Sequence, residues 1–219
     1  LRWIEPGQKL GTPDVLIIPG SKQTIKDLEN LNKTGMSNQI KDYAKNEGNI
    51  FGICGGLQML GKSLEDPYKK ESINELSQFS YMGINLLPIQ TTFGIIKHTS
   101  RIEEVARWPE KNNIHGFEMH YGESHLINQK DSDIISLFEK SSLGWVIEKK
   151  DKSFIGGTYL HGIFDNDEWR RQWINKIRQK KGLKKLNLKE EENNKNKRER
   201  LLDLLTDSFE KNINIDKMI

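Results

Sequence analysis

The chain has 219 residues, a formal net charge of +3 and one cysteine, Cys54. Its length fits one large domain, or a domain with an appendage. Its late basic runs lack interleaved aromatic residues, which favours a solvated surface over nucleic-acid binding. No apolar run reaches the roughly 18 residues of a membrane span, and a lone cysteine favours a reducing, cytoplasmic setting. Because the chain opens with Leu1 and shows no signal peptide, we expect a fragment, a processed product or an excised domain.

The first quarter of the chain alternates strands and helices. Residues 14–18, "DVLII", form a short apolar run that ends at Pro-Gly and predicts a buried strand. Ser21 is placed to cap a helix over "KQTIKDLENLN", and residues 36–47 predict a second helix. Residues 49–54 predict the next strand. A strand, helices and a second strand imply a parallel sheet with helices packed on its faces.

The middle of the chain is rich in short β-type runs that are broken by Gly and Pro. We expect "YMGINLLPI", "TTFGIIKHT", "SRIEEVA" and "IHGFEMHYG" to form hairpins that extend the sheet. The runs "LGWVIEKK" and "SFIGGTYL" predict one further antiparallel pair around "DKS".

The C-terminal part divides into a helix, a charged segment and a last helix. Residues 166–182 predict an amphipathic helix whose apolar stripe includes Trp169 and Trp173. We therefore assign residues 1–183 to the domain and residues 184–200 to a charged linker. Apolar residues recur at helical spacing after that, so residues 201–219 are expected to form a helix that packs on the domain.

Two motifs overlap in "NIFGICGGLQMLGKS", residues 49–63. Residues 56–63 fit the phosphate-loop pattern G-x-x-x-x-G-K-[ST], and residues 52–56 fit a nucleophile elbow, G-x-C-x-G. The residues between the phosphate-loop glycines are good helix formers, which suits the tight loop around a phosphate poorly. Pro67 also follows within about one helical turn, where the motif's helix should continue. The context therefore argues against phosphate binding.

The elbow has the expected context, because a strand ends at Ile53 and a helix begins with "GGLQML". Small residues must flank a nucleophile in such a turn, and here they are Gly52 and Gly56. The helix N-terminus should lower the pKa of the Cys54 thiol. The alternative is a buried cysteine that acts as a small apolar residue.

A cysteine nucleophile needs a base and donors for an oxyanion. His161 follows the buried run "GGTYL", so it and Cys54 both come at the ends of strands in a parallel sheet, where reactive groups meet. His120 ends a strand before Gly122 and is a second candidate for the site. The turn "IIPGS" offers backbone N–H groups as oxyanion donors.

The motifs "IIPGS", "GICGGLQML" and "GTYLHG" occur in an order that resembles class I glutamine amidotransferase domains. The finer resemblance is to the cobyric acid synthase family, through "PGSKQTIKDLENL", "GICGGLQMLGKSLEDP", "GINLLPIQTTF", "GFEMHYG" and "GTYLHGIFDNDEWRR". These signatures run from about residue 15 to 183. The resemblance implies an α/β, flavodoxin-like fold with a mixed, mainly parallel sheet and helices on both faces.

The resemblance also implies roles for individual residues. Cys54 would attack the side-chain amide of L-glutamine and form a γ-glutamyl thioester. His161 would protonate the departing ammonia and then activate water. Gln58 matches a glutamine that lies near the substrate in class I domains, and His120 is grouped with it in substrate binding. Three backbone N–H groups would hold the oxyanion, those of Gly20, Ser21 and Gly55.

In the family, an N-terminal ATP-binding synthetase domain uses the ammonia. It amidates peripheral carboxylates of adenosylcobyrinic acid a,c-diamide, a corrinoid acceptor, with ATP and Mg²⁺. We expect no cofactor and no metal in the present chain, which resembles a point already inside the amidotransferase domain, after its first strand.

One departure concerns the triad, because Ile163 stands where many class I domains carry a Glu two residues after the histidine. We therefore expect a Cys–His dyad. Asp165 and Asp167 are near His161 in sequence, but the sequence does not say what orients the ring. Other hypotheses are a relative with another acceptor, such as cobyrinic acid a,c-diamide synthase or a cell-wall amidotransferase subunit, and a non-catalytic partner-binding domain.

Overall fold

We analysed a computed structural model of the chain, in which residues 1–71, 79–127, 133–140, 142–187 and 194–212 are described. The described residues form nine strands, five α-helices and a 3-10 helix, Ile163–Asp165. The strands are β1 Leu16–Ile18, β2 Ile50–Ile53, β3 Ser63–Glu65, β4 Ser80–Met82, β5 Ile89–Ala106, β6 Asn112–Leu126, β7 Ile134–Ser136, β8 Gly144–Glu148 and β9 Phe154–Thr158. The helices are α1 Thr24–Lys33, α2 Met36–Lys45, α3 Gly55–Leu60, α4 Asp167–Lys180 and α5 Asn194–Asn212.

A mixed sheet lies at the centre of the fold, with the strand order β1-β2-β9-β8-β7. Strands β1, β2 and β9 are parallel, whereas β8 and β7 are added antiparallel at one side. The chain passes from β1 through α1 and α2 to β2, which is the predicted strand–helix–strand unit. The parallel arrangement brings the carboxyl ends of β1, β2 and β9 to one edge of the sheet, and the candidate site lies there.

Helices cover both faces of this sheet because successive strand residues point to opposite sides. On one side Ile50 and Ile155 pack with the apolar faces of α1, α2 and α3. On the other side Phe51 and Phe154 pack with the aromatic stripe of α4, which includes Trp169. The predicted α/β class, with helices on both faces, is confirmed.

The β-rich middle of the chain forms a second sheet, with the order β4-β3-β5-β6. Our expectation that these runs extend the first sheet as short hairpins is wrong. Strands β5 and β6 have 18 and 15 residues and pair antiparallel along almost their whole length, with a register shift between Phe93 and His98. Pairing of this length bridges the glycines that suggested strand breaks. The predicted antiparallel pair around "DKS" is confirmed as β8 and β9.

Predictions for the starts of two helices fail. Ser21 does not cap α1, because its hydroxyl accepts a bond from the backbone N–H of Gln23 and donates to Asp27 at 2.5 Å. The last helix, α5, begins at Asn194, inside the expected linker. Its described apolar side chains are 53–62% exposed, so they are not buried against the domain as we expected.

In the described ranges, every helix is too short or too polar to traverse a lipid bilayer.

Candidate active site

The nucleophile elbow is present between β2 and α3. Cys54 has φ 49° and ψ −109°, a strained conformation for a residue with a side chain, and it directly precedes the first residue of α3. A Cβ on Gly56 would lie 2.1 Å from the carbonyl oxygen of Ile18, and a Cβ on Gly52 would lie 2.5 Å from the carbonyl carbon of Gly56. Only glycine therefore allows α3 to approach β1 and β2 so closely, and the sharp turn at Cys54 depends on this approach.

The overlapping phosphate-loop pattern does not form a loop. Residues of the pattern lie in α3, and the lysine-serine pair leads into β3 rather than into a helix. The backbone N–H of Lys62 donates to the carbonyl of Ile89 at 2.8 Å, which ties this turn to β5. This part of the pattern is therefore committed to the sheet and does not line a phosphate cavity.

The thiol of Cys54 is almost buried, with 7% of the residue exposed. Its Sγ lies 3.8 Å from the carbonyl oxygen of Met119 on β6 and donates a weak bond to it. Burial raises the pKa of the thiol, and the carboxylate of Glu71 acts in the same direction. Bonding to the backbone N–H of Gly55 and the charge of Lys97 oppose this shift but do not outweigh it. The bond to the first N–H of α3 does lower the pKa of Cys54, but the net shift is upward, against our expectation, because desolvation is larger.

His161 lies beside Cys54, three residues after the end of β9. A Cβ built on Gly20 would lie 3.7 Å from the Cβ of Cys54 and 3.9 Å from Cε1 of His161, so the two side chains border the same small space. The Nε2 atom of His161 is buried and has no hydrogen-bond partner among the described residues. Burial lowers the pKa of His161, and the nearby His120 lowers it further. Both shifts favour the uncharged forms of the two groups, a thiol on Cys54 and a neutral imidazole on His161.

Neither of the nearby aspartates orients the imidazole of His161. Asp167 pairs with Arg170 in the first turn of α4. Asp165 lies in the 3-10 helix, with Oδ2 3.4 Å from the position of a Cβ on Gly162. Within the described part of the chain, the hydrogen bonds join no carboxylate to the ring of His161. The ring instead stacks on Phe117 of β6, with centroids 5.0 Å apart and planes inclined by 10°.

The three predicted oxyanion donors lie in the loop after β1 and at the first residue of α3, which meet beside Cys54. A Cβ on Gly55 would lie 2.9 Å from the backbone nitrogen of Ser21 and 3.0 Å from the hydroxyl of Thr24, so the loop after β1 touches the start of α3. Among the described residues, no hydrogen bond uses the backbone N–H of Gly20 or Ser21, whereas that of Gly55 faces the thiol of Cys54. The loop after β1 and the start of α3 thus lie together beside Cys54, and the role of these N–H groups with an oxyanion stays a prediction.

Gln58 is 2% exposed and forms part of a buried polar network. Its Oε1 accepts a bond from the hydroxyl of Thr24 at 3.2 Å, and its Nε2 donates to the hydroxyl of Tyr159 at 3.1 Å. The Tyr159 hydroxyl continues to Ser124 at 2.7 Å, which bonds in turn to Thr91. The network joins α1, α3, the second sheet and the end of β9, so Gln58 links the elements that surround the site. Its contact with substrate stays a prediction.

His120 is held by a carboxylate on one side and a carbonyl on the other. Its Nδ1 lies 2.8 Å from the carbonyl oxygen of Gly122, and its Nε2 lies 3.1 Å from Oε2 of Glu118. Both ring nitrogens thus face oxygen atoms of the same strand, which fixes the position of the ring. The ring stacks at 4.0 Å on Tyr159, two residues before His161. His120 therefore lies at the candidate site as a fixed neighbour of His161.

The sequence did not single out Phe117, Met119, Glu118 or Tyr159, although each contacts a predicted site residue. The first three lie in the run "GFEMHYG", from which only the histidine was taken. Strand alternation would have separated the outward Phe117 and Met119 from the inward Glu118 and His120.

In the described chain, no three His, Cys, Asp or Glu side chains are grouped as a metal site requires.

Comparison with known proteins identifies what this chain is similar to. Residues 1–169 match the CobB/CobQ-like glutamine amidotransferase domain. The whole chain is 79% identical to a cobyric acid synthase of Prochlorococcus marinus strain NATL2A and 77% identical to one of strain NATL1A. The chain spans 43% of the length of the first relative and 44% of the length of the second.

A solved structure described as a glutamine amidotransferase matches the fold with a TM-score of 0.53 and 12% identity. The match covers 80% of this chain and 82% of that one. At this identity the likeness supports the fold alone.

Proposed function

The chain belongs to the CobB/CobQ-like glutamine amidotransferase family, and from this premise we propose that it hydrolyses L-glutamine through a dyad of Cys54 and His161. The observation that carries the proposal is the strained elbow, which holds Cys54 across a small space from His161. The loop after β1, with Gly20 and Ser21, lies against Gly55 at the start of α3 beside the same space. A nucleophile, a base and oxyanion donors are the three parts that acyl transfer needs.

In the first half of the reaction the thiol attacks the side-chain amide. Neutral His161 takes the proton of the Cys54 thiol as Sγ bonds to the amide carbon, and the amide oxygen becomes an oxyanion. The N–H groups of Gly20, Ser21 and Gly55 would hold that oxyanion. The protonated His161 then gives its proton to the departing nitrogen, so ammonia leaves and a γ-glutamyl thioester remains on Cys54.

In the second half water releases the acyl group. His161 takes a proton from water as the water oxygen adds to the thioester carbon. Collapse of the oxyanion breaks the bond to Sγ, and the proton on His161 returns to the thiolate. The sum is glutamine plus water giving glutamate plus ammonia, and Cys54 and His161 end in the states in which they began.

The pKa shifts of Cys54 and His161 fit a mechanism in which His161 takes up the thiol proton only after the substrate is bound. The raised pKa of Cys54 and the lowered pKa of His161 favour the neutral pair over the thiolate–imidazolium pair. The charged pair then forms chiefly when the substrate is bound and the oxyanion donors are engaged. We infer that this arrangement restrains glutamine hydrolysis in the absence of the rest of the enzyme.

We further propose that the ammonia serves ATP-dependent amidation of peripheral carboxylates of adenosylcobyrinic acid a,c-diamide in cobalamin biosynthesis. The support is the identity with relatives named cobyric acid synthase, of which this chain spans less than half. ATP, Mg²⁺ and the corrinoid would be bound by an N-terminal synthetase domain in the remaining part of such a polypeptide. We assign this chain the release of ammonia.

A chimeric enzyme tests the proposal. This chain would replace the matching 219 residues of its 79% identical relative, so that glutamine-driven and ammonia-driven amidation are measured on one polypeptide. We expect Cys54→Ser to abolish glutamine hydrolysis, because a serine hydroxyl is too weak a nucleophile for a dyad. The same variant should keep most of its amidation when free ammonia is supplied. Loss of both reactions in a folded Cys54→Ser enzyme, or unchanged hydrolysis, would contradict the proposed division of labour.

A further inference from the structure

The imidazole of His161 stacks on the ring of Phe117. The planes are inclined by only 10°, with centroids 5.0 Å apart. The backbones of the same two residues are joined twice, since the N–H of His161 donates to the Phe117 carbonyl at 2.8 Å and the N–H of Phe117 donates back at 3.2 Å. Phe117 therefore holds both the backbone and the ring plane of His161.

This contact is fixed on both sides by neighbouring residues. A Cβ on Gly116 would lie 2.3 Å from the carbonyl oxygen of His161, so glycine is needed for β6 to come this close. The side chain of Asn166 accepts from the N–H of His115 at 2.9 Å and donates to its carbonyl at 2.8 Å. The same amide nitrogen also lies 3.1 Å from the carbonyl of Gly162. Strand β6 is thus joined to the segment that carries His161 at three successive residues, 115 to 117.

A phenyl ring and a carboxylate orient an imidazole in different ways. A carboxylate accepts the N–H of one ring nitrogen, which fixes the tautomer and stabilises the imidazolium. A stacked phenyl ring fixes the plane of the imidazole without accepting either N–H in that plane. Ile163 occupies the position where the resemblance would place a triad carboxylate, and it is 1% exposed in the core. The orienting contact on this histidine is therefore aromatic and uncharged.

We propose that Phe117 is the positioning residue of His161, and that its ring holds the imidazole plane so that Nε2 can reach the thiol of Cys54. The proposal rests on the proposed role of His161 as the base. Phe117 itself touches no reacting atom. Its ring keeps the base aligned while leaving it neutral, which agrees with the absence of a hydrogen-bonded carboxylate on His161 in the described chain.

The test compares substitutions that keep or remove the ring in the chimeric enzyme. Phe117→Leu keeps apolar bulk but loses the stack, and Phe117→Tyr keeps the stack. We expect Phe117→Leu to lower kcat for glutamine hydrolysis at least tenfold with KM within threefold of the parent, and Phe117→Tyr to stay within threefold in both. Tyr121→Leu is the matched control, because it removes an exposed ring from the same face of β6 that makes no contact with His161 in the described chain.

Two further readouts separate positioning from general damage. The acid limb of the pH profile of kcat/KM should not move in Phe117→Leu, since no charge is changed. The ring protons of His161 should lose their upfield ring-current shift in NMR spectra of that variant. A Phe117→Leu enzyme with parental kcat, or a Phe117→Tyr enzyme as impaired as Phe117→Leu, would overturn the proposal.

The failure of this inference differs from a failure of the proposed function. If His161→Asn abolishes hydrolysis while Phe117→Leu is as active as the parent, His161 is the base but the aromatic ring does not position it. If His161→Asn is as active as the parent, the dyad itself is wrong, and the role of Phe117 falls with it.

Discussion

The substitution Gly20→Ala should separate catalysis from stability at the centre of the site. A methyl group at residue 20 would lie 3.7 Å from the Cβ of Cys54, 3.8 Å from the carbonyl oxygen of Ile53 and 3.9 Å from Cε1 of His161. These are ordinary van der Waals distances, and φ of Gly20 lies outside the left-handed region. The folded chain therefore accepts the methyl without strain. Because alanine also restricts the unfolded chain, we expect the free energy of unfolding to rise by about 0.4–1 kcal/mol.

Catalysis should respond in the opposite direction. The amide carbon of glutamine has to come within roughly 3–3.5 Å of Sγ, inside the space that Cys54 and His161 share. The methyl group occupies that space, so the amide is displaced by about the width of a carbon atom. We expect kcat/KM for glutamine to fall at least about 100-fold, which corresponds to roughly 2.7 kcal/mol of transition-state stabilisation.

The assay for Gly20→Ala is ammonia release from L-glutamine, followed by a coupled enzyme, together with urea unfolding of the same preparation. Gly94→Ala is the matched control. Gly94 lies on β5, and a Cβ there would be 3.5 Å from its nearest atom, the carbonyl oxygen of Tyr121, so it also has room for a methyl group. We expect the control to stay within about twofold of parental activity. If Gly20→Ala is stable and hydrolyses glutamine at the parental rate, the space beside Cys54 is not the substrate position.

Three further results follow from the site. Lys62→Ala should leave glutamine hydrolysis within a few-fold of the parent, because Lys62 lies in the turn before β3. Titration of the variant with ATP should show no loss of affinity. A collapse in ATP affinity would restore the phosphate-loop interpretation. His120→Asn removes the neighbouring group whose charge lowers the pKa of His161, so the pKa of His161 rises and the acid limb of the kcat/KM profile moves to higher pH; a profile that stays in place or moves lower would contradict this. The isolated chain should hydrolyse glutamine at least about tenfold more slowly than the chimera with ATP and acceptor, which corresponds to a barrier higher by roughly 1.4 kcal/mol. Equal rates would mean that the dyad is aligned without the rest of the enzyme.

The sequence predicted the elbow because its signals are local. Two glycines flank the cysteine, an apolar run precedes it and helix formers follow it, so the strand, the turn and the helix could be assigned from adjacent residues. The pairing of Cys54 with His161 also followed from a general rule, since both come near the carboxyl ends of parallel strands.

What the sequence could not predict depends on long-range contacts. Phe117 meets His161 only through the path of β6, which runs in a second sheet that short β-type runs did not reveal. The sign of the pKa shift at Cys54 is set by burial beneath β6, whereas the sequence displayed only the helix that follows. Ser21 is a local exception, because its hydroxyl bonds to the N–H of Gln23 and to Asp27 of α1 instead of capping the helix.

The central claim is that Cys54 becomes acylated by glutamine, and trapping of the intermediate tests it most directly. Enzyme turning over L-glutamine would be quenched in acid, digested and examined by mass spectrometry for a γ-glutamyl group. We expect this group on the peptide that contains Cys54, and none in Cys54→Ser. Glutamine hydrolysis that proceeds without acylation of Cys54, or that continues in Cys54→Ser, would contradict the account.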